Sequence, residues 1–385
     1  MIYLDNASTT QVDTRLEVTI RDYTFNYYGN AGSPHRLGRI SREAVDAARD
    51  KVAASVKTDK ENIIFTSCGS EANTLAIIGS SNHLLQLGLN HIITTKYEHH
   101  SVLNAMREME RRGFTVTYLD ALSGVVSYDD FISAVNDNTG LVSIMYVNNE
   151  IGSINDIQQI YRFCRERKIL FHSDCVQAFG MMKVDMECIA DMVSISGHKI
   201  HAPKGIGCLC AKNKEFLSNI IYGGEQEFGI RPGTENVANI VAFGDMALYA
   251  EKHRSEFSSK LYGMSDFFVG QLALKCRQNN IPIHFNPPGL SKFSKIVSIC
   301  FDGVDAETLM IMLESKGVQV SAGSACSSMS TKPSHVLKAI GLTDEEARST
   351  IRVSFSDYNT IKEMEMAAKI IVECVLALRS INETE

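Results

Sequence analysis

A single lysine follows a predicted buried strand, and this arrangement limits the folds that the chain can adopt. The stretch at residues 194–207 reads S-I-S-G-H-K-I-H-A-P-K-G-I-G. The apolar run at residues 192–195 predicts the strand, and Gly197 and Pro203 on either side of Lys199 predict a tight turn. A strand that ends in such a turn places the amine of Lys199 at the edge of a sheet, where it can face a pocket.

This lysine has two interpretations. A lysine attacks a carbonyl only as the uncharged amine, so a partly buried lysine with a lowered pKa suits Schiff-base chemistry with an aldehyde cofactor such as pyridoxal phosphate. A lysine between glycines is, however, more commonly a surface turn residue. The stretch alone leaves both interpretations open, and the rest of the chain has to decide between them.

The stretch resembles the cofactor-lysine segment of the class V aminotransferase superfamily, and of its cysteine desulfurases in particular. The resemblance extends from Y-L-D-N-A-S-T-T at residues 3–10 to I-R-V-S at residues 351–354, with several motifs in the same order and spacing. It implies an α/β fold, fold type I of the pyridoxal-phosphate enzymes. A large domain with a mixed, mostly parallel sheet would span residues 15–255, and a smaller α/β domain would span 256–385 together with 1–14.

Composition argues against several other classes of protein. The net charge of −7 comes without a block of lysines or arginines, so direct binding of nucleic acid is not expected. The start lacks a basic region followed by an apolar one, and no apolar window approaches about eighteen residues, so we expect no membrane span and a cytoplasmic location. The ten cysteines include no C-x-x-C pair and no Cys/His cluster at zinc spacing, so no metal site is predicted.

A phosphate site is predicted where a β-branched strand, beginning at residue 63, meets a glycine turn and a helix that begins near Ser70. Backbone N–H groups at a helix N-terminus bind anions, although a plain serine N-cap after a tight turn would look the same. The resemblance implies that Thr234 reaches the phosphate of the neighbouring subunit in a homodimer. It implies that the phosphate ligands within the subunit are Gly69, Ser70, Ser196 and His198.

Three further residues are expected around the cofactor ring. The apolar strand at residues 169–173 ends at Asp174, whose carboxylate would hold a proton on the pyridine nitrogen, although an Asp N-cap would look the same. With the lysine downstream, we favour the cofactor interpretation. By resemblance, Gln177 donates to the ring hydroxyl, and His99 stacks on the ring and shuttles protons. The adjacent His100 is the alternative to His99.

Substrate binding is expected from an arginine and two asparagines. Arg352 lies in the alternating strand at residues 349–354, and a guanidinium recognises a carboxylate in a bidentate manner. By resemblance, Asn149 lies beside the cofactor hydroxyl and the substrate carboxylate, although a polar loop can carry asparagines for no catalytic reason. The resemblance also implies that Asn6 lies near the substrate, whereas the pattern alone predicts a loop and helix cap.

The nucleophile is predicted to be Cys326, in the sequence V-S-A-G-S-A-C-S-S-M-S-T-K-P-S at residues 320–334. Small polar residues surround this cysteine and leave little apolar surface to bury it, so we expect an exposed, mobile segment. Desulfurases of the long-loop type have their nucleophilic cysteine at this place, and the spacing from Cys326 to Arg352 matches theirs.

The resemblance implies a cysteine desulfurase that uses pyridoxal 5'-phosphate to remove sulfur from L-cysteine, giving L-alanine and a persulfide on Cys326. A sulfur-acceptor protein would receive the sulfur for iron-sulfur cluster assembly, tRNA thiolation or DNA phosphorothioation. The loop N-A-G-S at residues 30–33 is similar to that of the phosphorothioation desulfurases. Selenocysteine lyase, another class V transferase and a non-catalytic sulfur-relay scaffold are the alternatives. Three residues depart from the family pattern: Asn155, Glu225 and Pro232.

Overall fold

The structure, a computed structural model, describes residues 1–287, 293–323 and 332–382. Its strands are β1 Ile2–Tyr3, β2 Ile63–Thr66, β3 His91–Thr95, β4 Thr115–Leu119, β5 Thr139–Ser143, β6 Leu170–Asp174, β7 Met192–Ser196, β8 Gly207–Ala211, β9 Ile283–Asn286, β10 Ile296–Phe301, β11 Val318–Gln319 and β12 Thr350–Ser354.

The α-helices in these ranges are α1 Glu17–Arg21, α2 Arg36–Val56, α3 Gly69–Gly79, α4 Ser81–Gln86, α5 His100–Arg111, α6 Tyr128–Ala134, α7 Ile157–Arg167, α8 Met186–Ile189, α9 Val237–Gln278, α10 Ala306–Ser315, α11 His335–Ala339, α12 Asp344–Arg348 and α13 Ile361–Asn382. None of these helices has both the length and the apolar character that crossing a bilayer requires.

A seven-stranded sheet lies at the centre of the larger unit. Its strand order is β2-β8-β7-β6-β5-β3-β4, and only β8 runs antiparallel to its neighbours. Strands β5, β7 and β8 are buried along their whole length, because helices cover both faces of the sheet. Burial on both faces explains why the sequence shows continuous apolar runs here. The predicted mixed, mostly parallel sheet is confirmed.

Helices pack on both faces of this sheet. Helices α2, α7 and the first part of α9 contribute to the core on one face, and α3 and α5 contribute to the core on the other. Ala44, Ala48, Val52 and Val56 recur every four residues, a spacing that predicts one face of a helix, and all four are buried on α2. The helices hold the sheet rigidly, so the ends of its strands can position chemical groups.

The smaller unit contains an antiparallel sheet of order β12-β10-β9 and a parallel pair of β1 with β11. Its core includes Ile2 and Leu4 from the start of the chain, which lie with residues of α10, α13 and β12. The opening residues therefore pack beside the C-terminal part of the chain.

Helix α9 connects the two units as one continuous helix. Its residues Ile240 to Ala247 lie in the core of the larger unit, and Leu261 to Cys276 lie in the core of the smaller one. No residue between 251 and 260 is buried. The boundary proposed at residue 255 falls within this exposed stretch, and the domain limits remain a prediction.

Candidate active site

A cavity of about 190 Å³ opens at the carboxyl ends of β6 and β7. Ligands of open α/β sheets commonly bind at the carboxyl ends of the strands, because loops and helix N-termini meet there. The cavity brings together residues that are far apart in the sequence. The predicted site residues in its lining are Gly69, Ser70, His99, Asn149, Asp174, Gln177, Ser196, His198, Lys199 and Arg352.

Lys199 lies in the one-turn 3₁₀ helix Gly197–Lys199 that follows β7. Its Nζ donates to the carbonyl oxygens of Ala7 at 2.6 Å and Ser8 at 2.7 Å. A side chain at Gly197 would lie 2.9 Å from Ile206, so only glycine allows this tight turn. The lysine is half-buried in an interior cavity, which excludes the surface-turn interpretation.

The N-terminus of α3 and the end of β7 face each other across one side of the cavity. A Cβ on Gly69 would lie 2.7 Å from the side chain of Val176 and 3.4 Å from that of Ser196, so the backbone approaches closely here. The Oγ of Ser196 is buried and has no hydrogen-bond partner among the residues that the structure describes. Free N–H groups and an unpaired hydroxyl together suit an anion such as a phosphate.

His198 lies on the same side, and its Nδ1 is 3.2 Å from Thr9 Oγ1. Burial, together with the positive charge of Lys199, lowers the pKa of His198 to about 3. The ring is therefore neutral at physiological pH, so His198 can donate a hydrogen bond to a phosphate but adds no charge.

Asp174 ends β6 at the floor of the cavity. Its carboxylate accepts hydrogen bonds from Asn73 Nδ2 at 2.6 Å and from the Val176 N–H at 2.9 Å. Sequence reasoning missed Asn73, although its position three residues after Ser70 on one helix would have placed both on the same face. Gln177 donates to the Ala7 carbonyl at 2.9 Å, and its Oε1 is buried without a partner.

His99 is the N-cap of α5 and forms one wall of the cavity. The Ser101 N–H donates to its Nδ1 at 3.1 Å, and Ser101 Oγ lies 2.7 Å from the same atom. Burial lowers the pKa of His99, and although Asp174 opposes this effect the net shift is downward. The neutral ring therefore carries its proton on Nε2. His100 does not line the cavity and lies 4.4 Å from the ring of His335.

Arg352 enters the site from β12 of the smaller unit and is almost fully buried. One terminal nitrogen donates to the Asn149 carbonyl at 2.8 Å, and the other donates to Asp5 at 2.8 Å and Ser8 at 2.6 Å. Within the described part of the chain, its Nε is buried without a partner, as is the Oδ1 of Asn149. The guanidinium already binds the carboxylate of Asp5, and its Nε remains available to donate to the carboxylate of a ligand.

A family model described as Aminotransferase class-V matches residues 2–366. The chain belongs to this family. The fold, with its mixed seven-stranded sheet and smaller C-terminal unit, agrees with that membership.

Named relatives resemble the chain over nearly its whole length. The cysteine desulfurase IscS of Colwellia psychrerythraea is 39% identical over 389 residues, covering 99% of this chain and 94% of the relative. A solved structure of a NifS-like protein superposes with a TM-score of 0.90 at 30% identity, covering 98% of this chain and 100% of that one. A structure described as SspA in complex with cysteine gives a TM-score of 0.79 at 32% identity, covering 94% and 100%.

Two predicted residues lie elsewhere, and a third is not among the described residues. The side-chain amide of Asn6 donates to the carbonyls of Tyr3 and Ser354, so this residue joins β1 to β12 and does not line the cavity. Thr234 is exposed and is likewise absent from the lining. Cys326 lies outside the described residues. The roles assigned to these three residues remain predictions.

Asn155 and Pro232, which depart from the family pattern, both pack against other parts of the chain. Asn155 is buried, where its Oδ1 accepts from Tyr97 Oη at 2.7 Å and its Nδ2 donates to the Met145 carbonyl at 2.7 Å. Pro232 packs against Gly223, where a Cβ would lie 2.9 Å from the proline ring. Neither residue touches the cavity. These two departures therefore lie away from the lining of the cavity.

Proposed function

We propose that this chain is a cysteine desulfurase that converts L-cysteine to L-alanine and carries the sulfur as a persulfide on Cys326. The observation that carries the proposal is the meeting of an amine, a carboxylate, an imidazole and a guanidinium in one cavity, at Lys199, Asp174, His99 and Arg352. The full-length similarity to proteins named cysteine desulfurase supports the same function.

The residues of the cavity fit pyridoxal phosphate. Buried polar atoms in folded proteins nearly always have partners, yet Ser196 Oγ, Gln177 Oε1 and Asn149 Oδ1 have none within the described residues. The α3 N-terminus, Ser196 and His198 would hold the phosphate, and Asp174 would face the ring nitrogen. When bound, the cofactor supplies an aldehyde for the amino group of cysteine and a sink for the electron pair released at its α-carbon.

His99, Lys199 and Asp174 suit different roles in proton transfer. His99 carries its proton on Nε2 when neutral, because Nδ1 accepts from Ser101, so it offers a donor to the cavity. Lys199 Nζ is oriented by two backbone carbonyls, and as a neutral amine it accepts the α-proton. Asp174 holds a proton on the ring nitrogen, and Asn73 fixes the orientation of this carboxylate.

We expect Arg352, from the smaller unit, to orient the substrate. Arg352 binds the carboxylate of cysteine, and its Nε, which has no partner among the described residues, provides a donor for that carboxylate. The backbone carbonyl of Asn149 accepts a hydrogen bond from the Arg352 guanidinium. The side chain of Asn149 is therefore close enough to bind the same substrate carboxylate. The relative described as SspA in complex with cysteine supports cysteine as the substrate.

Sulfur transfer then requires a second thiol. The Cys326 thiolate attacks the substrate sulfur and forms a sulfur–sulfur bond, while the carbon–sulfur bond breaks and its electron pair stays with the carbon. Protonation of that carbon skeleton yields alanine, and the persulfide passes to an acceptor protein. No external oxidant is needed, because the carbon keeps the electron pair of the broken carbon–sulfur bond. The carbon is therefore reduced as the sulfur is oxidised.

We keep the cytoplasm as the proposed location, since a persulfide carrier requires a reducing compartment. The nine cysteines in the described residues are all unpaired thiols, which supports such a compartment. The homodimer and the identity of the acceptor also remain proposals. The loop at residues 30–33 favours DNA phosphorothioation among the pathways, and transfer of labelled sulfur to purified acceptors from each pathway would test this.

The direct test measures alanine and protein-bound persulfide formed from L-cysteine by the purified holoenzyme and by Cys326→Ala, Lys199→Ala and Cys188→Ala. Cys188 is exposed and serves as the matched control. We expect both products from the wild type and from Cys188→Ala. Cys326→Ala should retain the bound cofactor's absorbance but form neither product, and Lys199→Ala should lose both. A wild-type protein that binds the cofactor yet forms no alanine would overturn the proposal.

A further inference from the structure

A histidine, a cysteine and an aspartate meet on the three-stranded sheet of the smaller unit, outside the cavity described above. Cys300 on β10 is the direct partner of His284 on β9. Directly opposed residues on paired strands point to the same face of a sheet, with Cβ atoms about 4.5–5.5 Å apart. Asp302 follows Cys300 by two residues, which places it on this face as well. The pairing of β9 with β10 therefore creates the cluster.

Two of the three distances between the ligand atoms match those of a tetrahedral metal site. His284 Nδ1 lies 3.4 Å from Asp302 Oδ1, and Cys300 Sγ lies 3.6 Å from the same oxygen. All three ligand atoms lie within 4.8 Å of one another. Zinc binds nitrogen and oxygen at about 2.0–2.2 Å and sulfur at about 2.3 Å, so ligands at the tetrahedral angle are about 3.3–3.6 Å apart.

The surroundings of the cluster hold the cysteine in place and leave the site open to ions from solvent. Cys300 is fully buried and forms the floor of the cluster, where its thiol also contacts the Glu346 carbonyl at 3.4 Å. The side chains of His284 and Asp302 are 38% and 50% exposed, so an ion can enter from solvent. Three protein ligands and one open side leave the fourth position for water or for a further ligand.

We propose that His284, Cys300 and Asp302 form a binding site for one borderline-soft divalent cation, with Zn²⁺ as the best match. One thiolate, one imidazole and one carboxylate at tetrahedral spacing suit this ion better than Mg²⁺ or Ca²⁺, which prefer oxygen ligands. The ion would tie the edge strand β9 to β10 and to the turn that follows β10. The site is independent of the desulfurase reaction, so the two proposals fail or stand separately.

Other histidine–carboxylate pairs in the described residues serve as internal comparisons. His253 and Glu256 lie 3.1 Å apart on the surface of α9. Among the described residues, the cluster at His284 is the one group of three potential ligands at this spacing. His253→Ala is therefore a matched control, because it removes an exposed histidine of the same kind without touching the proposed site.

The test measures Zn²⁺ bound to the holoenzyme by equilibrium dialysis and elemental analysis, in a Cys326→Ala background that removes the other candidate thiol. We expect one tightly bound Zn²⁺ per chain, unaffected by His253→Ala. The variants Cys300→Ser, His284→Gln and Asp302→Asn should each weaken binding at least about 100-fold, because even partners outside the ligand set change metal affinity about 10- to 100-fold.

A second readout separates metal binding from folding. Zn²⁺ should raise the melting temperature of the Cys326→Ala protein and of its His253→Ala control, but not that of Cys300→Ser. Co²⁺ should give a thiolate charge-transfer band that Cys300→Ser lacks, measured as a difference spectrum. Equal Zn²⁺ binding by Cys326→Ala and by its Cys300→Ser derivative, or binding only at millimolar Zn²⁺, would overturn the proposal.

Discussion

At the scale of the residue, the proposed phosphate ligand Ser196 is a buried group that has no partner among the described residues. Its hydroxyl has no hydrogen bond, whereas that of Ser194, two residues earlier on β7, lies 2.9 Å from His172 Nε2. Both hydroxyls are buried on the same strand. They differ in what they contact, so substitution of each should have a different consequence.

We predict that Ser196→Ala weakens binding of pyridoxal phosphate about 10- to 100-fold and leaves the stability of the cofactor-free protein unchanged or raised, because a hydrogen bond to a charged group contributes about 1.5–3 kcal/mol. Ser194→Ala should have the opposite pattern, with about 1 kcal/mol of lost stability and unchanged cofactor affinity. Fluorescence titration of the cofactor and urea unfolding measure both. Equal cofactor affinity in the two variants would contradict the assignment of Ser196.

Glu98 gives the protein a dependence of stability on pH. Burial raises the pKa of Glu98 from its usual 4.5 to about 8, and although the Met145 N–H opposes this shift, the charge of Asp174 adds to it. Between these two values the folded chain binds a proton that the unfolded chain has released. The free energy of unfolding therefore falls as the pH rises from about 4.5 to about 8, and this contribution is constant above that range.

We predict that Glu98→Gln removes this slope, because glutamine keeps an acceptor for Thr95 and Met145 and cannot ionise. At about pH 8 the variant should be more stable than the wild type by about 2–5 kcal/mol, and at about pH 5 the two should be nearly equal. Urea unfolding at several pH values measures this. Glu365→Gln, at an exposed position, is the control, and a parallel slope in Glu98→Gln would contradict the prediction.

The positions of site residues at strand ends could be predicted from the sequence. The contacts between residues that are distant in the sequence could not. Asp174 and Lys199 follow apolar runs, so their positions at one sheet edge could be inferred from the pattern of strands. The contacts of Arg352 with Asp5 and Ser8 could not, because they join residues more than 300 positions apart. Only the packing of the opening residues against β12 brings those atoms together.

At the scale of the element, α2 is attached to the rest of the larger unit by a buried ion pair. Arg49 forms two hydrogen bonds with Glu227, at 2.6 and 2.8 Å, and Glu227 also accepts from the Phe65 N–H on β2. Glu227 and Phe228 both have left-handed backbone angles, with φ of 46° and 61°. Such angles are unfavourable for non-glycine residues, so the ion pair stabilises a strained turn. The sequence predicted α2 from its apolar spacing but gave no sign of this partner.

We predict that Glu227→Ala lowers the free energy of unfolding by about 3–5 kcal/mol, because it leaves the Arg49 charge buried without a partner. Asp245→Ala is the matched control, since Asp245 also pairs with α2, through Lys51, but both side chains are 35% exposed. It should cost about 1 kcal/mol or less. Urea unfolding compares the two, and Arg49→Met should recover part of the loss in Glu227→Ala. Similar losses in Glu227→Ala and Asp245→Ala would contradict this account.

At the scale of the whole molecule, the active site depends on how the two units are held together. Lys199 and Asp174 come from the larger unit, and Arg352 comes from the smaller one. Helix α9 contributes to both cores, and its exposed middle at residues 251–260 is the continuous connection between them. A rigid helix here transmits the position of one unit to the other. From the sequence, residues 236 to about 279 are predicted to be a mostly helical bridge between the domains, but the absence of a break within it became visible only in the structure.

We predict that Ser255→Pro uncouples the two units. Proline at an exposed position inside a helix removes one backbone hydrogen bond and clashes with the preceding turn, at a cost of about 3 kcal/mol or more. The smaller unit should then unfold at lower urea concentration than the larger one, giving two transitions by circular dichroism and by cofactor absorbance where the wild type gives one. The rate of alanine formation should fall with it, because Arg352 is no longer held opposite Lys199. Ser255→Ala keeps the helix and should behave as the wild type. A single transition in Ser255→Pro, with full activity, would mean that contacts other than α9 hold the units together.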